Sequence, residues 1–136
     1  MKSANKAVAA FIDKSNVSII ASVDGKGFPH AKAMQLRKRE GLRRFFFSTN
    51  ASSKATKRYL KNPKACVYFF SENEGVLLTG KMKVLRDKIS KKKIWREGDE
   101  IYYPKGVTDS DYSVLKFTAQ NGRYYSAFDS EDFKVV

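Results

Sequence analysis

The sequence predicts a mainly β protein of the α+β kind, a small antiparallel barrel with helices on its rim. Three observations carry this. Seven runs are rich in β-branched and aromatic residues, only three segments have helical spacing, and short glycine-containing turns join neighbouring strands. With 136 residues, 42% of them hydrophobic, the chain is read as one domain over 1–136 with a real core.

Ser3 to Lys14 reads as a short helix capped by Ser3, with Ala7, Val8, Ala10, Phe11 and Ile12 on its apolar side. Val17 to Val23 is apolar and β-branched, hence a strand. Asp24-Gly25-Lys26-Gly27 is a hairpin turn, and the returning strand runs from about Phe28 to Arg37. Its alanines, Ala31 and Ala33, alternate with long polar chains, which suits a strand that approaches a ligand or another subunit and equally an ordinary half-exposed strand. Arg39-Glu40-Gly41 turns the chain into a third strand, Leu42 to Ser48.

The stretch from Phe45 to Pro63 organises the rest. A strand ends in hydroxyls, and a helix opens with hydroxyls and a lysine. Ala55, Tyr59 and Leu60 give that helix a weak apolar stripe, and Asn62-Pro63 ends it. Free N–H groups, hydroxyls and Lys54 at a helix start form a place for a phosphate. The same residues also read as a surface helix capped by Ser52 with Lys54 solvated.

Lys64 to Ser71 is the fourth strand, and Val76 to Leu85 the fifth after a turn at Glu72 to Gly75. Gly80 in its middle marks a bulge or a close backbone approach. Asp87 to Trp95 reads as a helix with Ile89, Ile94 and Trp95 as its apolar positions and Lys91-Lys92-Lys93 as a solvated face. Arg96 to Lys105 is irregular, and its Tyr102-Tyr103 pair is expected to pack against core, a subunit or a flat ring. Ser113 to Gln120 is the sixth strand. Asn121-Gly122 is the strongest hairpin signal, with Arg123 to Phe128 pairing back as the seventh strand. The tail from Asp129 to Val136 carries no clear signal.

Composition narrows the function. Lys and Arg number 27 against 14 Asp and Glu, a net charge of +13 that favours phosphates, nucleic acid or anionic membranes, or else a merely solubilising surface. No apolar run is long enough to span a bilayer, no basic amphipathic helix offers membrane-surface binding, and the N-terminus lacks the pattern of a signal peptide. A lone Cys66, read as a core thiol, and a lone His30 argue against a disulfide, a zinc site and a Cys–His pair. The expected residence is cytoplasmic, with no metal.

Gly27-Phe28-Pro29-His30, the strand ending in Ser48-Thr49, Ser53-Lys54 through Leu60-Lys61-Asn62-Pro63 and the strand Ala65-Cys66-Val67-Tyr68-Phe69 together resemble the pyridoxamine 5′-phosphate oxidase-like, FMN-binding split-barrel proteins. Val76 to Met82, Trp95, Tyr102 to Val107 and Asp109 to Lys116 resemble the general-stress-protein branch. The resemblance implies a small antiparallel split β-barrel with flanking helices and a homodimer with FMN at the subunit interface. It implies a phosphate site at Ser53 and Lys54, with Lys32 near the phosphate or ribityl chain. Ala33, Met34 and Gln35 would lie along the ring, and Ser48 and Thr49 near the ring or ribityl chain. FAD, deazaflavin and haem are the alternatives that relatives of this barrel bind. Gly75 stands where pyridoxamine phosphate oxidases proper carry a Gln, and their C-terminal Arg and His signature has no counterpart, so vitamin B6 oxidation is not expected. Tyr125 stands where stress-family members often have Trp.

The expected activity is that of a flavin oxidoreductase with a small-molecule electron donor or acceptor. Lys32 or Arg37 would supply positive charge near the reduced flavin. The sequence offers no clear general acid or base. Tyr102, Tyr103 and His30 are candidates, each with a plain packing or strand-surface reading. A flavin-binding stress or sensor protein without turnover is the alternative. A nucleic-acid-binding barrel would use Phe45 to Phe47, Tyr68 and Phe69 as stacking groups, but those aromatics sit in apolar strands suited to core.

Overall fold

The computed structural model describes residues 2–15 and 17–136, with side chains from residue 5 onward. Helix α1 (Lys2–Lys14) turns Val8 and Ile12 into the core, with Phe11 packed beside them, while Ala7 and Ala10 face solvent. The Ser3 cap expected from the sequence lies outside the described side chains. Strands β1 (Ser18–Val23) and β2 (Pro29–Met34) form the first hairpin. Its turn is held by the Asp24 carboxylate, which accepts the N–H groups of Lys26 and Phe28 at 2.9 Å each.

The expected strand to Arg37 ends early, and Arg39 and Glu40, expected in a turn, are strand. β2 stops at Met34, and β3 (Lys38–Glu40) is a separate piece that pairs with β4 (Arg44–Asn50). The chain crosses from one edge of the sheet to the other between them, where the Arg37 N–H donates to Phe46 O at 2.9 Å. Helix α2 (Lys54–Lys61) buries Ala55, Thr56 and Tyr59 and leaves Leu60 exposed at 68%, so Leu60 is not part of its apolar stripe. Ser53, not Ser52, is the cap, and its Oγ accepts the Thr56 N–H at 3.1 Å.

Strands β5 (Lys64–Phe70) and β6 (Glu74–Leu85) follow, and the β6–β7 register slips between Thr79 and Gly80. A Cβ at Gly80 would lie 2.0 Å from the Thr118 carbonyl oxygen, so the expected close approach is real. In helix α3 (Lys88–Ile94), capped by Asp87, the apolar face differs from the expected one. Ile89 is 81% exposed, while Lys91 is buried and donates from Nζ to the Asp109 carbonyl at 3.0 Å. Tertiary packing has turned the lysine stem inward and given its ammonium a backbone partner.

The largest correction concerns the C-terminus. Strand β7 (Tyr112–Ser126) runs straight through Asn121-Gly122, and the tail forms an eighth strand, β8 (Asp129–Lys134). The first half of β7 pairs with β4 and the second with β8, both along the edge opposite β6. The turn lies instead at Ala127-Phe128, where Ala127 has φ 52°. The sheet order is β2-β1-β5-β6-β7-β4-β3, with β8 beside β7. The result is a mostly antiparallel split barrel. Its interior holds Phe45, Phe47, Val67, Phe69, Leu78, Leu115 and Phe117, each at most 1% exposed. A second, smaller cluster of Phe46, Ile94, Tyr103, Tyr112 and Val114 lies under α3. Among the described residues no helix is long and apolar enough to cross a membrane.

Candidate functional site

Between the end of β2 and the end of β4 the barrel opens into a cleft of about 290 Å³. Lys32, Ala33, Met34 and Gln35 form one wall, Ser48, Thr49 and Asn50 another, and Arg37, Tyr102 and Tyr103 close it. Six of the eight residues singled out in the sequence therefore meet in one cleft. Ser53 and Lys54 stand just beyond it, at the start of α2. β2 is an end strand. The backbone groups on its outer edge have no strand partner and face solvent or a ligand.

The helix start is less open than the sequence suggests. Asp111 occupies the loop before it. Its carboxylate accepts the Ser52 N–H at 2.9 Å and the Asn50 amide at 2.7 Å, and its carbonyl accepts the Ala51 N–H at 2.7 Å. The Asn50 amide first, and then Ser52, hold the Asp111 carboxyl below the usual carboxylate range. The Ser53 hydroxyl serves Thr56, and no described hydrogen bond engages the N–H of Lys54 or Ala55. What remains for an outside anion is those two N–H groups and the exposed Lys54 ammonium.

Arg37 does not offer a free charge. Its guanidinium grips both oxygens of Asp99 at 2.9 Å, and the two side chains are 8% and 7% exposed. Asp99 also accepts the Arg96 N–H at 2.9 Å, and Arg96 donates to the Arg37 carbonyl at 3.0 Å. Burial works to raise the Asp99 pKa, but Arg37 and the Arg96 N–H outweigh it and keep the carboxyl below its ordinary value. This latch fixes the short 3-10 turn Asp99–Ile101, and with it the tyrosine wall. Tyr103 is buried, 4.7 Å from the Tyr112 ring, whereas Tyr102 is 65% exposed. Burial pushes the Tyr103 phenol up, and that of Tyr112 up to about 12. Both phenols are protonated at neutral pH. His30 stands apart on β2, 2.8 Å from Asp24. Cys66 is half-buried, and burial raises its thiol, which suits an inert side chain. Among the described residues no cluster of three metal-ligating side chains exists.

Neither Asp99 nor Asp111 was legible as a site residue. Each pairs with a side chain about 60 residues away and with a backbone N–H, Asp99 with Arg37 and the Arg96 N–H, Asp111 with Asn50 and the Ser52 N–H, and such partners leave no spacing signature.

The chain is thus a split barrel with a polar cleft beside its end strand. The chain belongs to the pyridoxamine 5′-phosphate oxidase family, whose model matches residues 4–126. Members of that family bind flavin or haem and are often dimeric. No curated protein matches the sequence. Among solved structures, one from Clostridium acetobutylicum is described as a protein related to general stress protein 26 of the pyridoxinephosphate oxidase family. It is 36% identical, with 99% of this chain and 96% of that chain covered and a TM-score of 0.89. General stress protein 26 of Bacillus anthracis is 17% identical over 97% and 98% of the two chains, with a TM-score of 0.82. A haem-binding protein of Mycobacterium smegmatis shares the fold at 17% identity and a TM-score of 0.72, over 93% of this chain and 56% of that one.

Proposed function

We propose that the chain binds FMN in the cleft between β2 and β4 and works as an oxidoreductase on a small-molecule electron donor or acceptor. The observation that carries this reading is the meeting of Lys32, Ala33, Met34, Gln35, Ser48 and Thr49 in one cleft beside an unpaired strand edge. The residues fit the group. The free backbone edge of β2 matches the donors and acceptors on the rim of a flat ring. The small side chain of Ala33 leaves that ring room, and Ser48 and Thr49 face it from β4. Lys32 supplies the cleft's unpaired cation, since Arg37 is neutralised by Asp99. The phosphate falls to Lys54 and the N–H groups of Lys54 and Ala55. Asp111 beside them is anionic, so the Lys54 charge is needed to offset it.

Bound FMN supplies the electron acceptance. The protein binds and orients it, and Tyr102 and Tyr103 wall one side against water. A protonated Tyr103 can donate a hydrogen bond and cannot serve as a base, so the cleft contains no evident proton acceptor. This favours electron or hydride transfer over acid–base chemistry. Haem finds neither of its commonest ligands, His or Cys, in the cleft, which leaves Met34, Tyr102 and Tyr103 as the residue types that could ligate its iron.

A homodimer has its own support. Strand register sets Ala33, Ile19, Tyr68 and Leu77 side by side, and Ala31, Ala21, Cys66 and Thr79 in the next row, on the outside of the barrel. This small, largely apolar face lies beside the exposed Phe70 and Val17 and runs up to the cleft at Ala33. A second copy covering it would seat the cofactor between subunits. The lone half-buried thiol, with no second cysteine for an intrachain disulfide, supports cytoplasmic residence.

The test is the visible spectrum of purified protein after addition of FMN and gel filtration. Two flavin bands should persist, and both Lys32→Ala and Lys54→Ala should weaken retention about tenfold, the equivalent of about 1.4 kcal/mol. No retained flavin at micromolar protein, or a Soret band in its place, would overturn the cofactor. Bound flavin that no nicotinamide or other donor bleaches anaerobically would leave a flavin-binding sensor.

A further inference from the structure

We propose that the barrel wall adjoining the apolar face, further along β5 and β6, binds the phosphate backbone of single-stranded nucleic acid without regard to sequence. Side chains directly opposite one another in a sheet share a face. By that rule Arg44, Thr118, Lys81 and Lys64 form one row across β4, β7, β6 and β5. Lys38, Phe46, Lys116 and Lys83 form the adjacent row across β3, β4, β7 and β6. Six cations thus lie on one wall, on strands about 4.8 Å apart. All are exposed except Lys116, which is half-buried.

Three features separate this wall from an ordinary solvated surface. Among the described residues none of the six has an ion-pair partner, although five other ion pairs exist on the molecule. The one carboxylate on these rows, Glu40 beside Arg44, is already held by Lys93 at 2.9 Å. Lys64 faces Lys81, and Lys83 faces Lys116, directly across neighbouring strands. Such like-charge pairs oppose folding, so nothing in the fold calls for them. An outside polyanion relieves the repulsion.

The shape selects the polyanion. A barrel wall is convex, so a planar bilayer or a straight duplex meets few of the six cations at once, while a flexible strand can follow the curve. The rows carry no exposed aromatic: Phe46 is buried beneath Lys93, whose Nζ lies 4.7 Å from the ring centre. Without a stacking platform the contact is to phosphate and is blind to sequence. The wall shares no residue with the flavin cleft, so the two sites can fail separately.

The test is fluorescence anisotropy of a labelled 20-residue oligothymidylate with the flavin-loaded protein. Each phosphate contact on a single strand contributes a salt slope of about −0.7, so six give about −4, a loss of roughly 300-fold between 50 and 200 mM salt. The triple variant Lys81→Gln, Lys83→Gln, Lys116→Gln should halve the slope to about −2, a loss of roughly 20-fold over that range, with flavin content unchanged. The control triple Lys26→Gln, Lys57→Gln, Lys105→Gln has the same net charge and lies off the wall, and it should bind as the parent does. Equal weakening by both triples would reduce the effect to net charge and overturn the proposal. So would no binding at 50 mM salt, tighter binding of the corresponding duplex, or retention on phosphatidylserine vesicles without oligonucleotide binding.

Discussion

At the scale of single residues the consequential feature is the Arg37–Asp99 pair. Two charges with 8% and 7% of their side-chain surface exposed survive because each satisfies the other through two bonds. Such a pair adds little over an apolar replacement, but breaking it leaves a stranded charge. Asp99→Asn should therefore destabilise the protein by about 3–5 kcal/mol in urea titration, and Arg37→Met with Asp99→Leu by clearly less. The pH dependence has a definite sign. The Asp99 carboxyl sits below its ordinary value, so its contribution is complete above an unfolded value of about 4 and is lost as pH falls through the lower folded value. Thermal midpoints measured between pH 2 and 5 should fall less steeply with acidification in Asp99→Asn than in the parent. Helix faces were only partly legible at this scale. Tyr59 and Ala55 were readable as core, but Leu60 and Ile89 face water and Lys91 does not. Periodicity shows that a helix is amphipathic, while the neighbouring elements decide which way it turns.

Among the elements, β7 shows where local signals fail and why. Asn-Gly is a strong hairpin signal, yet Asn121-Gly122 is extended, paired on one side with β6 and on the other with β8. Gly122 is there for space: a Cβ would sit 2.2 Å from the ring of Phe133, which β8 folds over it. A tail with one aromatic among charged residues gave no sign of a strand, because its partner supplies the apolar surface. Gly122→Ala should cost about 1–3 kcal/mol by overpacking. Gly122→Ala combined with Phe133→Leu should cost less than the two single changes added, since the smaller side chain yields the space. Full additivity in thermal or urea unfolding would refute the contact. By contrast the first hairpin, the stop at Pro63 and the Gly80 bulge were all readable, since each is set by backbone chemistry within a few residues.

For the whole molecule, the barrel's outer surface is divided. One half carries Ala31, Ala33, Ile19 and Leu77, the other Lys64, Lys81, Lys83 and Lys116. The excess of positive charge was evident in composition, but its location was not. The bulge at Gly80 shifts the β7 register by one, so Asn121 and Arg123 share a face with Lys116 and Thr118 despite opposite parity. Alternation along the sequence alone would have put them on opposite sides. The division also separates two functions that a uniform surface would confuse. Ala31 is exposed in the single chain and sits in the apolar face outside the cleft lining, so a carboxylate there leaves the folded subunit intact. In a dimer joined through that face the same carboxylate would be buried without a partner. Ala31→Glu should therefore keep the parent's far-ultraviolet spectrum, sediment as a monomer and lose most of its FMN, while oligothymidylate binding per subunit is unchanged. A variant that stayed dimeric with flavin bound would move the subunit contact elsewhere on the barrel, and a monomer that kept its flavin would confine the whole cofactor site to one chain.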